Sequence, residues 1–189
     1  MKANFTRRFF ASVTTLSCLA ILAGPAMADD EDYEPGALTG PHGEISQIGL
    51  ERGLELYDHD KDDTCVPGAL QIRATVTNVT KVGLVKVELF GEKDFMKKSG
   101  KLRRIRVPGE DGSVKVCINL PLPGEYALVG YHDKDGNRKL KKAWNFKPKE
   151  PYGVSNNPKI ESLRLPKWSE AGFEVPMNGV DITLELVDP

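Results

Sequence analysis

The 189-residue chain lacks the features that mark several large protein classes. With 40% apolar and 28% charged residues, its composition excludes collagen-like, coiled-coil and membrane-embedded proteins. An apolar run covers residues 9–22, but it is too short and too rich in Ser and Thr to span a membrane comfortably. No long helical period follows residue 64. These absences leave a soluble protein built mainly from short strands.

Catalytic signatures are missing as well. The chain has no Gly-x-Ser-x-Gly elbow, no His-Glu-x-x-His sequence and no phosphate-cradling glycine loop. His132 stands beside Asp133, but neighbouring residues of a strand point to opposite faces and cannot act together as a triad. We therefore predict a non-catalytic protein, with a small hydrolase using an unrecognised carboxylate pair as the less favoured alternative.

Residues 1–28 have the layout of a signal peptide. Arg7 and Arg8 give a positive start, residues 9–22 are apolar, and Ala26 and Ala28 supply the small residues before a cleavage site. The arginine pair also resembles the twin-arginine export motif, so both that route and the general secretory route stay open. The sequence predicts a periplasmic or secreted protein with no transmembrane segment after cleavage.

Cysteine is scarce, and its placement is informative. Cleavage after Ala28 removes Cys18 and leaves Cys65 and Cys117. In an oxidising compartment an isolated pair is most simply a disulfide, which would stabilise the fold by roughly 4 kcal/mol through chain entropy. The alternative is two buried thiols.

Charge divides the remaining chain into two parts. Residues 29–63 hold 12 acids and 2 bases, a net charge of −10, whereas residues 64–189 hold 15 acids and 21 bases, a net charge of +6. The first part has too few apolar residues for a core, so we expect an acidic, largely disordered arm before a β-sandwich domain at 64–189. The arm could also fold back onto the basic domain.

Basic residues fall into two clusters, and both have two interpretations. They could bind an anionic cell-envelope surface or polysaccharide, or they could form a solvated face, which is the favoured interpretation. Nucleic acid is excluded as a partner by the predicted compartment and the absence of a binding motif. The clusters consist of Lys97, Lys98, Lys101, Arg103, Arg104 and Arg106, and of Arg138, Lys139, Lys141, Lys142, Lys147 and Lys149.

The domain shows strand periodicity throughout. Apolar and polar residues alternate over residues 70–76, 85–89, 114–118 and 180–186, and residues 126–131 are apolar on both faces. Asn178-Gly179 predicts a tight hairpin between residues 173–175 and 180–186. The pattern indicates an all-β, antiparallel immunoglobulin-like or transthyretin-like sandwich of about seven short strands, with a small barrel as the alternative.

One loop carries oxygen side chains at alternate positions. Asp133, Asp135 and Asn137 are spaced so that they could converge on calcium. The loop is not an EF-hand, since Arg138 and Trp144 stand where that loop needs Gly and Glu. The equal alternative is a hairpin whose side chains cap their own backbone. Residues 58–63 form a second, weaker acidic candidate.

The sequence around this loop resembles a bacterial family, the domain of unknown function 2141. The resemblance rests on Leu-Pro-x-Pro-Gly-Glu-Tyr-Ala at 120–127, His-Asp with spaced Asp and Asn at 132–137, Pro-Lys-Glu-Pro-Tyr-Gly at 148–153, and Ser-Asn-Asn at 155–157. It implies an exported β-sandwich-like domain and supplies no established activity. The chain departs from the pattern at Asp135, Arg138 and Lys141, and the last replaces a common acid.

These observations predict a binding or structural module with one functional edge. That edge comprises the loop at 133–137 and the segment that follows it, with six candidate binding residues: His132, Glu150, Tyr152, Ser155, Asn156 and Asn157. The segment from 147 to 169 reads as a long irregular loop. Four aromatic residues lie in or near it, and they could stack on a glycan or pack the loop onto the sandwich: Trp144, Phe146, Tyr152 and Trp168.

Overall fold

The computed structural model describes residues 39–40, 43–144, 148–159 and 164–189. Short strands connected by turns dominate this part of the chain. The strands are β1 (Thr39–Gly40), β2 (Gly43–Glu44), β3 (Gln71–Val79), β4 (Leu84–Phe90), β5 (Lys101–Pro108), β6 (Gly112–Asn119), β7 (Gly124–Asp133), β8 (Tyr152–Val154), β9 (Phe173–Val175) and β10 (Val180–Glu185). The helical elements are α1 (Gln47–Arg52), α2 (Trp168–Ala171) and 3-10 turns at Asp58–Asp60 and Lys98–Gly100.

The strands from β3 onward form two sheets. One has the order β10-β3-β6, and the other has the order β5-β4-β7-β8 with β9 also paired to β7. All pairs are antiparallel except β3 and β10, which run parallel. The prediction of an all-β sandwich is confirmed.

The core lies between the two sheets, where the alternating pattern placed it. Ile72, Ala74 and Val76 of β3 face inward with Val85 and Val87 of β4, and all five are buried. Successive side chains of a strand point to opposite faces, so the residues between these positions face outward. Each fully buried aliphatic side chain contributes about 1.5–3 kcal/mol.

The Asn178-Gly179 turn does not close a hairpin. Gly179 has a φ of 73°, and its N–H donates to the carbonyl of Pro176, so a turn is present. However, β9 before it pairs with β7, and β10 after it pairs with β3 of the other sheet. The predicted hairpin is therefore wrong, because the burial of β10 beside β3 outweighs local pairing.

Residues 43–63 belong to the stretch expected to be largely disordered, and the structure differs from that expectation. Ser46 caps α1 by accepting a hydrogen bond from the N–H of Gly49. Leu56, Tyr57 and Asp60 are buried, and Asp60 pairs with Arg106 of β5 in the larger sheet. The net charge of the segment did not predict this docking, because a few buried side chains are enough to fix a short segment to a neighbouring surface.

The predicted disulfide is confirmed. Cys65 and Cys117 are bonded, with their Cα atoms 5.3 Å apart and a sequence separation of 52. The bond connects the segment that precedes β3 to β6. Beside it, the N–H of Asp63 donates to the carbonyl of Cys117, which holds the same connection on the backbone.

None of the helices in the described ranges has the length and apolar character needed to cross a membrane. The predicted signal peptide at 1–28 lies outside the described residues.

Candidate functional site

The loop after β7 is closed by the carboxylate of Asp133. This side chain is only 1% exposed, and its two oxygens accept hydrogen bonds from the N–H groups of Asn137 (3.1 Å) and Arg138 (2.6 Å). Gly136 and Arg138 adopt φ values of 69° and 64°, which turn the chain sharply at this point. Asp133 therefore fixes the path of the loop.

Glu150 approaches the same loop from a distant part of the sequence. Its carboxylate accepts hydrogen bonds from the N–H groups of Lys134 (3.2 Å) and Lys141 (3.0 Å). The side chain is buried. It joins the start and the end of the loop, so residues 133–141 are held by carboxylates at both sides.

Three carboxylates converge as a result. One oxygen each from Asp133, Asp135 and Glu150 lies within 4.8 Å of the others. Burial, followed by the hydrogen bond and negative charge of its neighbours Asp135 and Glu150, raises the pKa of Asp133 to about 7. Burial opposes ionisation of Asp135 too, but the Lys141 ammonium beside it holds the pKa of that carboxyl below its ordinary value. Asp133 thus holds its proton more tightly than an isolated aspartate would.

This donor set has the chemistry of a hard-cation site. Calcium takes six to eight oxygen ligands, and carboxylates serve as one- or two-oxygen donors. Each carboxylate oxygen carries two lone pairs, so an oxygen that accepts a backbone hydrogen bond keeps a second position for a cation. Asp133, Asp135 and Glu150 are therefore the residues that could hold one.

Asn137, the third ligand predicted from spacing, makes hydrogen bonds within its own loop. Its amide oxygen accepts a hydrogen bond from the N–H of Lys139 (2.8 Å), and its amide nitrogen donates to Asp135 (3.0 Å). These are the contacts of a side chain that stabilises its own loop. Glu150, predicted as a binding residue, takes the third position in the carboxylate cluster.

His132 and Tyr152 are placed by the sandwich itself. The His132 ring is completely buried, with Nε2 located 2.8 Å from the carbonyl of Val82. Tyr152 is half-buried in β8, and its backbone pairs with Val187 through two hydrogen bonds. Neither side chain joins the carboxylate cluster.

Ser155, Asn156 and Asn157 fasten the backbone of neighbouring segments. The buried Ser155 hydroxyl accepts from the N–H of Leu128 (2.9 Å) and contacts the carbonyl of Ala171 (2.6 Å). Asn156 donates to the carbonyl of Gly172, while Asn157 bridges Thr183 and Glu185 of β10. The Ser-Asn-Asn motif thus connects β7, α2 and β10.

Asp60, from the second acidic candidate, lies in a buried arginine network instead. One of its oxygens accepts hydrogen bonds from Arg106 Nη1 (2.7 Å) and Arg138 Nη2 (3.0 Å). All three residues are no more than 3% exposed. The Arg138 guanidinium also lies 4.6 Å from the centre of the Tyr57 ring and donates to the carbonyl of Glu55.

This network was not predicted, although its members were noticed. The sequence placed Arg106 and Arg138 in surface basic clusters and Asp60 in an acidic arm. The available signal was the opposite charge of the two parts, which led to the hypothesis that the arm folds back. The ion pairs of Asp60 agree with that hypothesis, and so does the pairing of Asp63 with Arg103.

The remaining basic residues of the first cluster are largely paired. Lys101 and Arg104 lie near Glu88, at 2.6 and 3.5 Å, and Lys97 contacts Asp94. These contacts place an acidic side chain of the protein beside three members of the cluster.

The aromatic residues divide into packed and exposed. Trp168 packs edge-on against Phe95, which meets Phe90 in the same way. Trp144 is 94% exposed. Phe146 lies outside the described residues.

Comparison with known proteins places the chain in a family. No curated protein and no solved structure matches it. A family model described as an uncharacterised protein conserved in bacteria, DUF2141, matches residues 75–183, which is more than half of the sequence. This range includes part of β3, all of β4 to β9, the arginines of the buried network and all three clustered carboxylates. The chain therefore belongs to the DUF2141 family of bacterial proteins.

Proposed function

We propose that the protein is a non-catalytic binding or structural module of the periplasm or the extracellular space, and that calcium supports its functional edge. The edge consists of the loop at 133–141 together with the segment that begins at Glu150. Calcium would bind the carboxylates of Asp133, Asp135 and Glu150 and so join the loop to that segment.

The convergence of these three carboxylates carries the proposal. Oxygens within 4.8 Å of each other, on side chains that are mostly buried, repel one another when ionised. Burial, and after it this repulsion, raises the pKa of Asp133. A divalent cation relieves the repulsion more completely than one shared proton does, which gives a reason for calcium to bind.

Lys141 is the internal competitor for the cation. Its ammonium pairs with Asp135, and the side chain is 50% exposed, so it has room to leave. Lys141 stands where the family pattern commonly has an acid. We therefore expect weak calcium binding in this chain and tighter binding once the charge of Lys141 is removed.

Thermal unfolding with calcium and with a chelator tests the proposal. Calcium at about 100 times its dissociation constant adds roughly 2.7 kcal/mol, which raises the midpoint by about 5–10 °C. Asp133→Asn should abolish the rise. The matched control is Asp111→Asn, which changes a loop aspartate that accepts the N–H of Lys81 away from the cluster. An unchanged midpoint in the parent, up to millimolar calcium, would overturn the proposal.

The compartment and the lack of catalysis rest on separate observations. The Cys65–Cys117 disulfide favours an oxidising compartment. The His132 ring is enclosed in the sandwich and contacts a backbone carbonyl, which leaves it no access to a substrate. Screening a panel of glycans and esters for turnover tests the second point, and turnover lost in Glu150→Gln would refute it.

A second candidate function is binding to an anionic envelope surface. Trp144 is 94% exposed, and Lys139, Lys142 and Lys149 near it in sequence are exposed as well. An exposed indole flanked by lysines suits the boundary of an anionic bilayer. Cosedimentation with anionic vesicles should fall steeply with salt and with Trp144→Ala, whereas Trp168→Ala should leave it unchanged. Equal binding to neutral vesicles would contradict this candidate.

A further inference from the structure

The guanidinium of Arg106 is buried, and two of its three nitrogen atoms make no hydrogen bond to the described residues. Arg106 is 2% exposed, and only Nη1 is paired, with Asp60. Within the described part of the chain, Nε and Nη2 have no hydrogen-bond partner. A buried donor without a partner costs about 1–3 kcal/mol, and more when it belongs to a charged group.

The two unused donors share one edge of the guanidinium. Nε–H and the nearer Nη2–H point in the same direction, as two parallel bonds in a fixed fork. This fork fits two oxygens of a single carboxylate or phosphate group. The Arg106 edge is therefore shaped for one particular class of ligand.

The charge around this edge is positive. Asp60 offers one oxygen to both Arg106 and Arg138, so its single negative charge serves two guanidinium groups. Lys86 of β4 lies directly opposite Arg106 in the strand register, and its side chain is mostly buried. Burial of Arg106 also lowers the pKa of its guanidinium, and the positive charge of Arg138 acts in the same direction.

Glu88 does not compensate for this excess. Its Oε1 lies 2.8 Å from Lys86 Nζ and 2.6 Å from Lys101 Nζ, one row further along the sheet. Even with Glu88 beside it, burial lowers the pKa of Lys86 to about 8, and the positive charges of Arg106 and Lys101 contribute to that shift. The outer face of β4 and β5 thus has more cationic than anionic groups.

We propose that Arg106 and Lys86 form a binding site for an oxyanion, a carboxylate or phosphate group that places two oxygens on Nε and Nη2 of Arg106 and is further attracted by Lys86. The site is separate from the carboxylate cluster and does not depend on calcium. Arg104, on the same face of β5, forms the more exposed side through which the ligand would enter.

Isothermal titration of the intact protein with sodium phosphate and with sodium acetate tests this site. Ionic strength is held constant, and sodium chloride is the control because chloride offers one acceptor atom, whereas the fork matches two oxygens of one group. We expect saturable binding of one phosphate or acetate per chain and no saturable binding of chloride. The stronger of the two oxyanions identifies the ligand as a phosphate or a carboxylate. Absence of saturable binding by both would overturn the proposal.

Two variants assign the binding to these residues. Arg106→Lys keeps the positive charge but removes the fork, so the affinity should fall at least tenfold. Arg103→Lys is the matched control on the same strand, where the guanidinium is paired with Asp63, and it should leave the affinity unchanged. If Arg106→Lys fails to fold, Lys86→Met decides, because it retains the Arg106–Asp60 pair and should weaken binding at least threefold. Parental affinity in the decisive variant would refute the assignment.

Discussion

Replacing Asp60 by Asn removes a negative charge that two buried arginines share. The amide keeps the size of the carboxylate but not its charge, so Arg106 and Arg138 would face each other with Glu55 as the remaining acid nearby. If residues 43–63 are part of the folded domain, this change must destabilise the whole molecule. If they only rest on its surface, the loss should be small.

The size of the effect follows from burial. Asp60 and Arg106 have side-chain exposures of 2% and 1%, with 2.7 Å between the paired atoms. Breaking a buried pair by removing one partner costs about 3–5 kcal/mol, because the other charge stays buried without compensation. For a protein of this size, that corresponds to a midpoint lowered by about 10–15 °C.

Urea unfolding followed by circular dichroism measures the difference, with Asp63→Asn as the control. Asp63 also pairs with an arginine, but the Asp63 and Arg103 side chains are 21% and 31% exposed. Partly exposed pairs contribute about 0–1 kcal/mol, so the control should lose little. Asp60→Asn within about 1 kcal/mol of the parent would refute the reasoning.

Three further predictions concern other parts of the molecule. The pKa of Asp133 is raised to about 7 in the folded state, so the folded protein holds a proton that the unfolded chain releases near its ordinary value of 3.8. Stability should therefore fall as pH rises from about 4 to about 7, and pH-dependent melting should show a weaker fall in Asp133→Asn. Reducing Cys65–Cys117 should cost about 4 kcal/mol in urea unfolding, and an unchanged curve would contradict this. Trp168→Ala should cost about 2–3 kcal/mol through lost packing, whereas Trp144→Ala should change the unfolding free energy by less than about 0.5 kcal/mol.

Alternation alone was sufficient to predict the sandwich and most of its core. Buried residues such as Ile72 and Val87 occupy every second position of a strand, and a period of two indicates a strand with one buried face. It does not specify which strands become neighbours. Asn178-Gly179 is a strong local hairpin signal, yet β10 pairs with β3, more than 100 residues earlier, because that arrangement buries Leu184 in the core.

The docking of residues 43–63 onto the domain was harder to predict from the sequence. Net charge describes a segment as a whole, whereas docking depends on a few side chains. Tyr57 and Asp60 each find a buried partner in Arg138, and a sum over the segment cannot reveal that pairing.

The candidate site was predicted in part. Asp133 and Asp135 were proposed as ligands from their spacing, and Glu150 was proposed as a binding residue of the following segment. Their convergence depends on the fold, since Glu150 returns to β7 through the segment that leads into β8. Asn137 has suitable spacing as well, and spacing alone does not reveal that its amide oxygen accepts a hydrogen bond from the N–H of Lys139.

The most direct test of the central claim is isothermal titration of calcium into the parent and two variants. We predict one calcium per chain, with affinity highest in Lys141→Ala, lower in the parent and lowest in Asp133→Asn. This order follows because the lysine competes with the cation for Asp135, and Asp133 supplies one of the three carboxylates. Equal affinities in all three proteins, or no heat of binding in Lys141→Ala, would contradict the claim that these carboxylates form a cation site.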